Sequence, residues 1–353
     1  MIDTLIDTAP KSTGGGGGKT KEEEVKDLCD SLAKQLPDDF IEVEYKESLS
    51  RLSIPKGLSA GKNVPLTVFL RQEIEVFQVV INIVRVTLKD VVLAIDGQII
   101  MTQEILDIIN NMFDFRVPTK WLLDATGSVE ISWLSPTLGG WMKGLSDRYF
   151  QLNNWLLKGR PPSFWLTGFY NQQGFLTCAN QEITRQNYDN GWSLDLVKQW
   201  FEPQRETIQS DDGRIEKNIQ APSEGVYIHG LYLEGASWNK GKLDEQIGKD
   251  LYQTFPIVHV TAISLVQDNN TRPGIGGKKA DPLQLAAQYF DCVVYKYPKR
   301  SDKYKITRML LKPDGSSPND KGKDKDKDNN LAVGMTPKIN WKLKGVALLC
   351  TKE

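Results

Sequence analysis

Pro65-Leu-Thr-Val-Phe-Leu-Arg-Gln-Glu-Ile-Glu-Val-Phe-Gln-Val-Val-Ile-Asn-Ile-Val-Arg-Val-Thr-Leu-Lys-Asp-Val-Val-Leu-Ala-Ile95 carries the strongest periodic signal in the sequence. Leu66, Leu70, Ile74, Phe77, Ile81, Val84, Leu88 and Val91 recur at spacings of three and four, which places them on one stripe of a helix. Val76, Val80 and Ile83 extend the apolar surface to further faces. A helix apolar on so many sides is packed against several neighbours. It breaks at Asp96-Gly97. Glu75, Arg85, Lys89 and Asp90 interrupt the run, and a membrane span would have to bury them, so a buried helix is the expectation.

Other helices flank it. Thr20 precedes Lys21-Glu-Glu-Glu24, a capping-box-like start with carboxylates near a helix N-terminus. Val25, Leu28, Leu32 and Leu36 follow at helical spacing, and Pro37 ends the segment. A third helix is predicted after Thr102, through Ile105, Leu106, Ile108, Ile109, Met112 and Phe113, in a region closed by Pro118. A fourth spans Trp141–Leu157, with Trp141, Leu145, Leu152, Trp155 and Leu156 at helical spacing. After about Asn190 short apolar stretches alternate with turn signals: Val226–Leu233, Pro256–Ser264, Tyr289–Tyr297, Tyr304–Leu311 and Trp341–Cys350. Rich in Val, Ile, Tyr and Thr, they read as strands of an antiparallel sheet or barrel. Helices followed by strands predict an α+β fold.

Composition narrows the function classes. The 353 residues carry a formal net charge of −1 and are 40% hydrophobic, enough for a sizeable core. Near-neutrality gives no electrostatic reason to expect nucleic acid or an anionic membrane as partner. Cys29, Cys178, Cys292 and Cys350 share no CxxC spacing and are expected to be reduced and mostly buried. With only His229 and His259, a histidine-based metal site or triad has little to draw on, and both sit in apolar runs where packing is the better reading. No cleavable signal is expected at Met1, and the protein is expected to be soluble and intracellular.

Several motifs compete with bland readings. Gly14-Gly-Gly-Gly-Gly-Lys19-Thr20 approaches the phosphate-binding pattern G-x-x-x-x-G-K-S/T, but Thr13 stands at the first glycine position and three carboxylates follow Thr20. A flexible glycine linker is the better reading. Asp211-Asp-Gly-Arg214 with Glu216 lacks the remaining oxygen ligands of a calcium loop. Trp141, Trp155, Trp165, Trp192 and Trp200 could form an aromatic platform, but their spacing favours core packing. Carboxylates are abundant without an evident acid/base dyad. The loops Gln267–Pro282 and Pro313–Lys338 are long; the second contains alternating Lys and Asp at 321–328, and this composition predicts disorder.

Several segments, in sequence order, resemble the C-terminal region of dynein heavy chains. Leu5–Thr20 resembles the glycine-rich connector near the end of the ring's sixth AAA+ module, and Pro65–Ile74 with Thr87–Gly97 resembles the long helix of that module's small subdomain. Pro162-Ser-Phe-Trp-Leu-Thr-Gly-Phe-Tyr-Asn-Gln-Gln-Gly-Phe-Leu-Thr177 is similar to the family's PSxWLxGFxxPQGFLT segment, with Gln172-Gln173 where PQ is usual. Glu224–Trp238 is similar to its GVYVHGLxLxGAxW segment, and Trp341–Cys350 to its terminal WxLxGVALLC. Thr8–Thr13, Trp133–Gly139 and Tyr295–Asp302 look more like axonemal outer-arm chains, the gamma type especially.

The resemblance implies a connector over 1–20, a helical AAA+ small subdomain over 21–125, and a C-terminal domain over 126–353, helical to 189 and then an incomplete antiparallel β-barrel. It also implies a ring-bracing and regulatory part of a ciliary motor that moves towards microtubule minus ends. ATP hydrolysis and microtubule binding would lie elsewhere in the heavy chain. No catalytic, cofactor-binding or metal-binding residue is expected in this chain, and no cofactor. The implied partners are the rest of the AAA+ ring and, through the parent complex, microtubules and other dynein chains, with no nucleic acid and no membrane. The implied location is the cytoplasm and cytoskeleton, at the axoneme of a cilium or flagellum. Two other readings are a free-standing β-barrel adaptor with a helical extension and a nucleotide binder at Gly14–Thr20.

Overall fold

A computed structural model describes residues 19–40, 64–124, 126–127, 129–204, 219–239, 241–246, 250–264, 289–311 and 341–352. The glycine run Gly14–Gly18, the Asp211–Glu216 turn and the two long loops Gln267–Pro282 and Pro313–Lys338 lie outside the described residues.

Helix α1, Lys21–Gln35, begins as its sequence implies. The Thr20 side chain accepts from the Glu23 N–H at 3.2 Å, and Glu23 Oε2 accepts from the Thr20 N–H at 2.9 Å, closing a capping box. Val25, Cys29 and Leu32 are its buried face, set against α2. Helix α2 runs Pro65–Ile95, with proline in its first turn, where a missing N–H costs nothing. All eight stripe residues named above are buried, from Leu66 to Val91. Of the further faces, Val80 is buried, Ile83 partly so, and Val76 is exposed. Helix α3, Gln103–Phe113, starts under a Thr102 cap, and the single turn α4, Thr119–Leu122, buries Trp121.

Helix α5, Leu138–Lys158, is capped by Thr137 and stops at Gly159, whose φ of +87° favours glycine. Strand β1, Phe164–Trp165, follows, and then α6, Gln172–Gln186, capped by Asn171. The remaining strands are β2 (Val197–Pro203), β3 (Val226–His229), β4 (Tyr232–Glu234), β5 (Ser237–Asn239), β6 (Lys242–Asp244), β7 (Tyr252–Thr254), β8 (Val258–Ser264), β9 (Phe290–Tyr295), β10 (Lys305–Leu311) and β11 (Ala347–Leu349).

The fold is α+β, with open sheets among the described residues. One sheet has the order β1-β3-β8-β2, another β10-β9-β11-β4-β7, and β5 and β6 pair alone. Antiparallel pairing dominates, but β1 pairs with β3 in parallel and β11 with β9 in parallel. The single predicted stretch Val226–Leu233 is divided: Gly230, at φ +87°, turns the backbone from β3 in the first sheet to β4 in the second. Beside it, the run from β7 to β8 makes the same transfer, and the Phe255 N–H donates to the Leu231 carbonyl at 2.8 Å between the two crossings. A strand pair thus passes together from sheet to sheet.

Strand β2 has no counterpart among the predicted stretches. It buries only Val197 and Phe201 and sits at a sheet edge, where its final Pro203 is tolerated. The expected terminal strand is present but short: within Trp341–Cys350 only Ala347–Leu349 is strand, with all three residues buried. One hydrophobic cluster runs through the whole described molecule, from Val25 on α1 through α2, α5 and α6 to Leu348 on β11.

Candidate functional site

Helix α2 and the segment Phe164–Gln186 meet in an aromatic cluster. The Phe69 ring lies 5.1 Å from Phe169 and 5.5 Å from Phe175, both edge-on, and Trp155 packs 4.8 Å from Phe164. One turn further along α2, Glu73 faces the same neighbours and is 5% exposed. Its Oε2 accepts from the Tyr170 N–H at 2.6 Å and its Oε1 from the Asn171 N–H at 3.0 Å. Those amides lie just before the N-terminus of α6, where the helix dipole favours negative charge. Burial pushes the Glu73 carboxyl up from its ordinary value, and the two amides, Lys296 and Arg148 act against that shift.

Arg148, on α5, is buried beside it. Its Nη1 donates to the Gly144 carbonyl at 3.0 Å and its Nη2 to the Thr167 carbonyl at 3.3 Å. The guanidinium lies 4.0 Å from the Trp133 ring centre and 5.2 Å from that of Trp165, so two indoles cover it. Burial lowers its pKa to about 10. Gly144 makes this approach possible: a Cβ there would sit 2.9 Å from both Arg148 Nη1 and Trp133 Nε1.

Lys296 follows β9. Its Nζ lies 3.5 Å from the Tyr170 carbonyl, 5.3 Å from the Tyr170 ring and 5.5 Å from the Tyr297 ring. Burial lowers its pKa; among the neighbouring charges Glu130 raises it and Arg148 lowers it. Together these side chains line a cavity of about 270 Å³, whose walls include Glu73, Phe77, Trp133, Arg148, Trp165 and Tyr297. The Trp133 Nε1 atom is buried without a hydrogen-bond partner among the described residues, and the buried Tyr297 Oη has only the Leu134 N–H beside it.

Residues singled out in the sequence lie elsewhere or play other parts. Thr20 caps α1, and Lys19 pairs with Asp27, so the two described residues of the phosphate-loop resemblance have local partners. His229 packs with a satisfied ring nitrogen, its Nδ1 2.8 Å from Ser163 Oγ, and burial lowers its pKa to about 4. His259 Nε2 lies 2.8 Å from the Glu224 carbonyl. Trp141 and Trp155 are core residues, whereas Trp192 and Trp200 are only partly buried and Trp165 lines the cavity. Burial raises the four cysteine thiols, Cys29 and Cys350 to about 12. Among the described residues no group of three or more His, Cys, Asp or Glu side chains is arranged to hold a metal ion, and no helix is long and apolar enough to cross a membrane.

Glu73, Arg148 and Lys296 were not singled out. A signal for the first two does exist. Glu73 lies four residues after Phe69 and four before Phe77, and Arg148 three after Leu145 and four before Leu152, so each is an ionisable residue on an apolar helix stripe.

Three distant segments are tied at one hydroxyl next to the cavity: Thr167 Oγ1 lies 2.9 Å from the Gly230 carbonyl and 2.6 Å from the Cys350 carbonyl. These residues fall in Pro162–Thr177, Glu224–Trp238 and Trp341–Cys350, the stretches that carry the family resemblance. The sequence profile for the C-terminal domain of the dynein heavy chain matches residues 1–350. The protein belongs to this dynein family. Dynein axonemal heavy chain 8 of Mus musculus is 37% identical over 356 residues, covering 99% of this sequence and 6% of the relative. Dynein axonemal heavy chain 5 of Mus musculus is also 37% identical, over 353 residues, with the same coverage. The dynein gamma chain of the flagellar outer arm of Chlamydomonas reinhardtii is 38% identical over 263 residues, covering 74% of this sequence and 5% of the relative. The 353 residues therefore span about 6% of the length of the curated dynein heavy chains they match. In this dynein domain the family-like stretches form the walls and ties of the junction cavity.

Proposed function

We propose that the protein is the C-terminal, ring-bracing and regulatory part of an axonemal dynein heavy chain of outer-arm, gamma-like type. On this reading 1–20 is the connector from the sixth AAA+ module, 21–125 its helical small subdomain, and 126–353 the C-terminal domain, whose two larger sheets form an incomplete barrel around the Gly230 crossing. ATP turnover and microtubule binding belong to other parts of the heavy chain, and the protein works in the axoneme of a cilium or flagellum. One observation carries the reading: the helices over 21–113 and the sheets share a single hydrophobic cluster, with Glu73 of α2 holding the amides of Tyr170 and Asn171. A well-packed interior transmits displacement instead of absorbing it. A shift of α2 is therefore passed to the sheets, as a brace requires.

The outer face of α2 supports the same reading. Val79 and Val86 are 53% and 54% exposed, and Val76 lies on the same side, three residues before Val79. An exposed apolar strip of this kind fits further contacts, here with the rest of the ring. The test introduces Glu73→Ala into a complete axonemal heavy chain. Microtubule-stimulated ATP turnover should persist, with gliding velocity per ATP reduced. Unchanged coupling, or loss of turnover itself, would overturn the bracing role.

A further inference from the structure

Four cationic side chains, Lys143, Arg148, Lys296 and Lys352, line the junction cavity against two carboxylates, Glu73 and Asp147. Arg148 and Lys296 both line it, and neither forms an ion pair among the described residues. Asp147 and Glu73 act on Arg148, and Glu130 and Glu73 on Lys296, but both Glu73 oxygens already accept backbone N–H groups and Glu130 is shared with Tyr304 and Lys303. Arg148 is one of the charges that lower the Lys296 pKa, so the two cations lie within each other's field. Like charges brought together in a desolvated site destabilise one another unless an anion joins them.

The unmet hydrogen-bonding capacity has the same sign. A guanidinium carries five N–H donors. Two of Arg148's are directed to the carbonyls of Gly144 and Thr167, and the indoles of Trp133 and Trp165 cover its faces, which leaves edge donors available. Lys296 has three donors and one long bond, 3.5 Å, to the Tyr170 carbonyl. Trp133 Nε1 can only donate, and it is buried without a partner among the described residues; the Tyr297 oxygen has the Leu134 N–H beside it, which leaves its O–H free to donate. A purely structural role explains Arg148, which fastens α5 to the turn at Thr167. It does not explain why Lys296, the Trp133 N–H and the Tyr297 hydroxyl gather at the same cavity. At about 270 Å³ the space suits a ligand near the small end of the usual range, roughly 300–1,000 Å³.

We propose that this cavity binds a small oxyanion, a phosphate- or carboxylate-bearing molecule, held by Arg148, Lys296, Trp133 and Tyr297. The anion would supply the acceptors that the walls lack, and charge-assisted bonds to it are the strong kind. Its contacts would come from α5 (Arg148), the segment after β9 (Lys296, Tyr297) and the loop before α5 (Trp133), so occupancy would stiffen the junction described above. The inference rests on the cavity and does not depend on the family reading.

The experiment titrates the whole protein with inorganic phosphate and, separately, with succinate, in a chloride buffer at constant ionic strength, by calorimetry and by thermal melts. Lys296→Gln removes a charge. Tyr297→Phe removes the hydroxyl and keeps the ring, losing only the Leu134 N–H contact to that oxygen, and keeps the test valid if Lys296→Gln folds poorly. Lys198→Gln, an exposed change on β2, is the control. Saturable binding is expected, weaker by about tenfold in Lys296→Gln and by a few-fold in Tyr297→Phe, and unchanged in the control. Weakening in either cavity variant with the control unchanged supports the site. Binding of phosphate alone marks a phosphate ligand, of succinate alone a carboxylate, and of both a site that selects by charge and size. No saturable binding of either anion, binding equal to wild type in both cavity variants, or an equal loss in the control would overturn the proposal.

Discussion

The Glu73 carboxylate on α2 accepts a hydrogen bond from the Tyr170 N–H at 2.6 Å, across 97 positions of the sequence. The Asn171 N–H takes the other oxygen. Alanine at position 73 would leave two amides without acceptors, at about 1–3 kcal/mol each, partly offset by relief from burying a charge. Glu73→Ala should therefore lower stability by about 2–4 kcal/mol in urea unfolding, and Glu73→Gln by less, because its amide keeps one acceptor oxygen. An alanine variant within about 0.5 kcal/mol of wild type would show that the clamp does not stabilise the fold.

Thr167 is the corresponding tie on the sheet side. Its hydroxyl reaches the carbonyls of Gly230 and Cys350, and valine would keep the shape while removing the donor. Thr167→Val should cost about 1–3 kcal/mol. Protection of the Cys350 and Leu349 amides against hydrogen exchange should fall with it. Unchanged protection would mean that β11 is held without this bond.

Gly144→Ala sets two effects against each other. Alanine gains roughly 1 kcal/mol of helix propensity over glycine in the interior of α5. Its Cβ, however, would fall 2.9 Å from Arg148 Nη1 and Trp133 Nε1, and the stacked indoles leave the guanidinium little room to retreat. Overpacking costs about 1–3 kcal/mol, so a net loss is expected, read as a lower Tm. A raised Tm would mean that the Trp133–Arg148 stack yields readily.

His229 makes stability depend on pH. Its folded-state pKa, about 4, lies below the ordinary 6.5 because burial disfavours the charged ring. For a lowered pKa the stabilising contribution is present above 6.5 and is lost as pH falls towards 4, since the unfolded state takes up the proton first. Relative to His229→Gln, the wild type should lose about 2 kcal/mol between roughly pH 7.5 and pH 5. The raised Glu73 carboxyl has the opposite sign: its contribution is present below the ordinary carboxylate value and is lost as pH rises through the folded one. Comparing the two proteins cancels that background. Parallel curves would show that His229 is not desolvated in the folded state.

Leu348 is fully buried in the middle strand of the five-stranded sheet, paired on one side with β4 and on the other with β9. Leu348→Ala should cost about 2–5 kcal/mol. Truncation after Lys344 should do more, because it leaves two strand edges without partners. A truncated protein that stays soluble and melts within a couple of degrees of the full one would contradict the central placement of β11.

The helices were legible because their signals are local. The Thr20–Glu23 box, the stripe from Leu66 to Val91 and the break at Asp96-Gly97 each depend on residues within a few positions of one another, and the structure has α1 and α2 where those signals put them. The strand-rich C-terminal half was legible in the same way, from short apolar runs, and so was the family. What no local pattern carries is which distant segments meet. Gly230 divides one apolar run between two sheets, β2 is an edge strand whose polar positions hide it, and β11 enters beside β9 in parallel. Glu73, Arg148 and Lys296 become a site only when α2, α5 and the end of β9 are packed together. Periodicity and capping follow from the geometry of one backbone segment. The pairing of remote segments is decided by which arrangement buries the shared core while satisfying the polar groups carried in with it, and that is settled only in the tertiary structure.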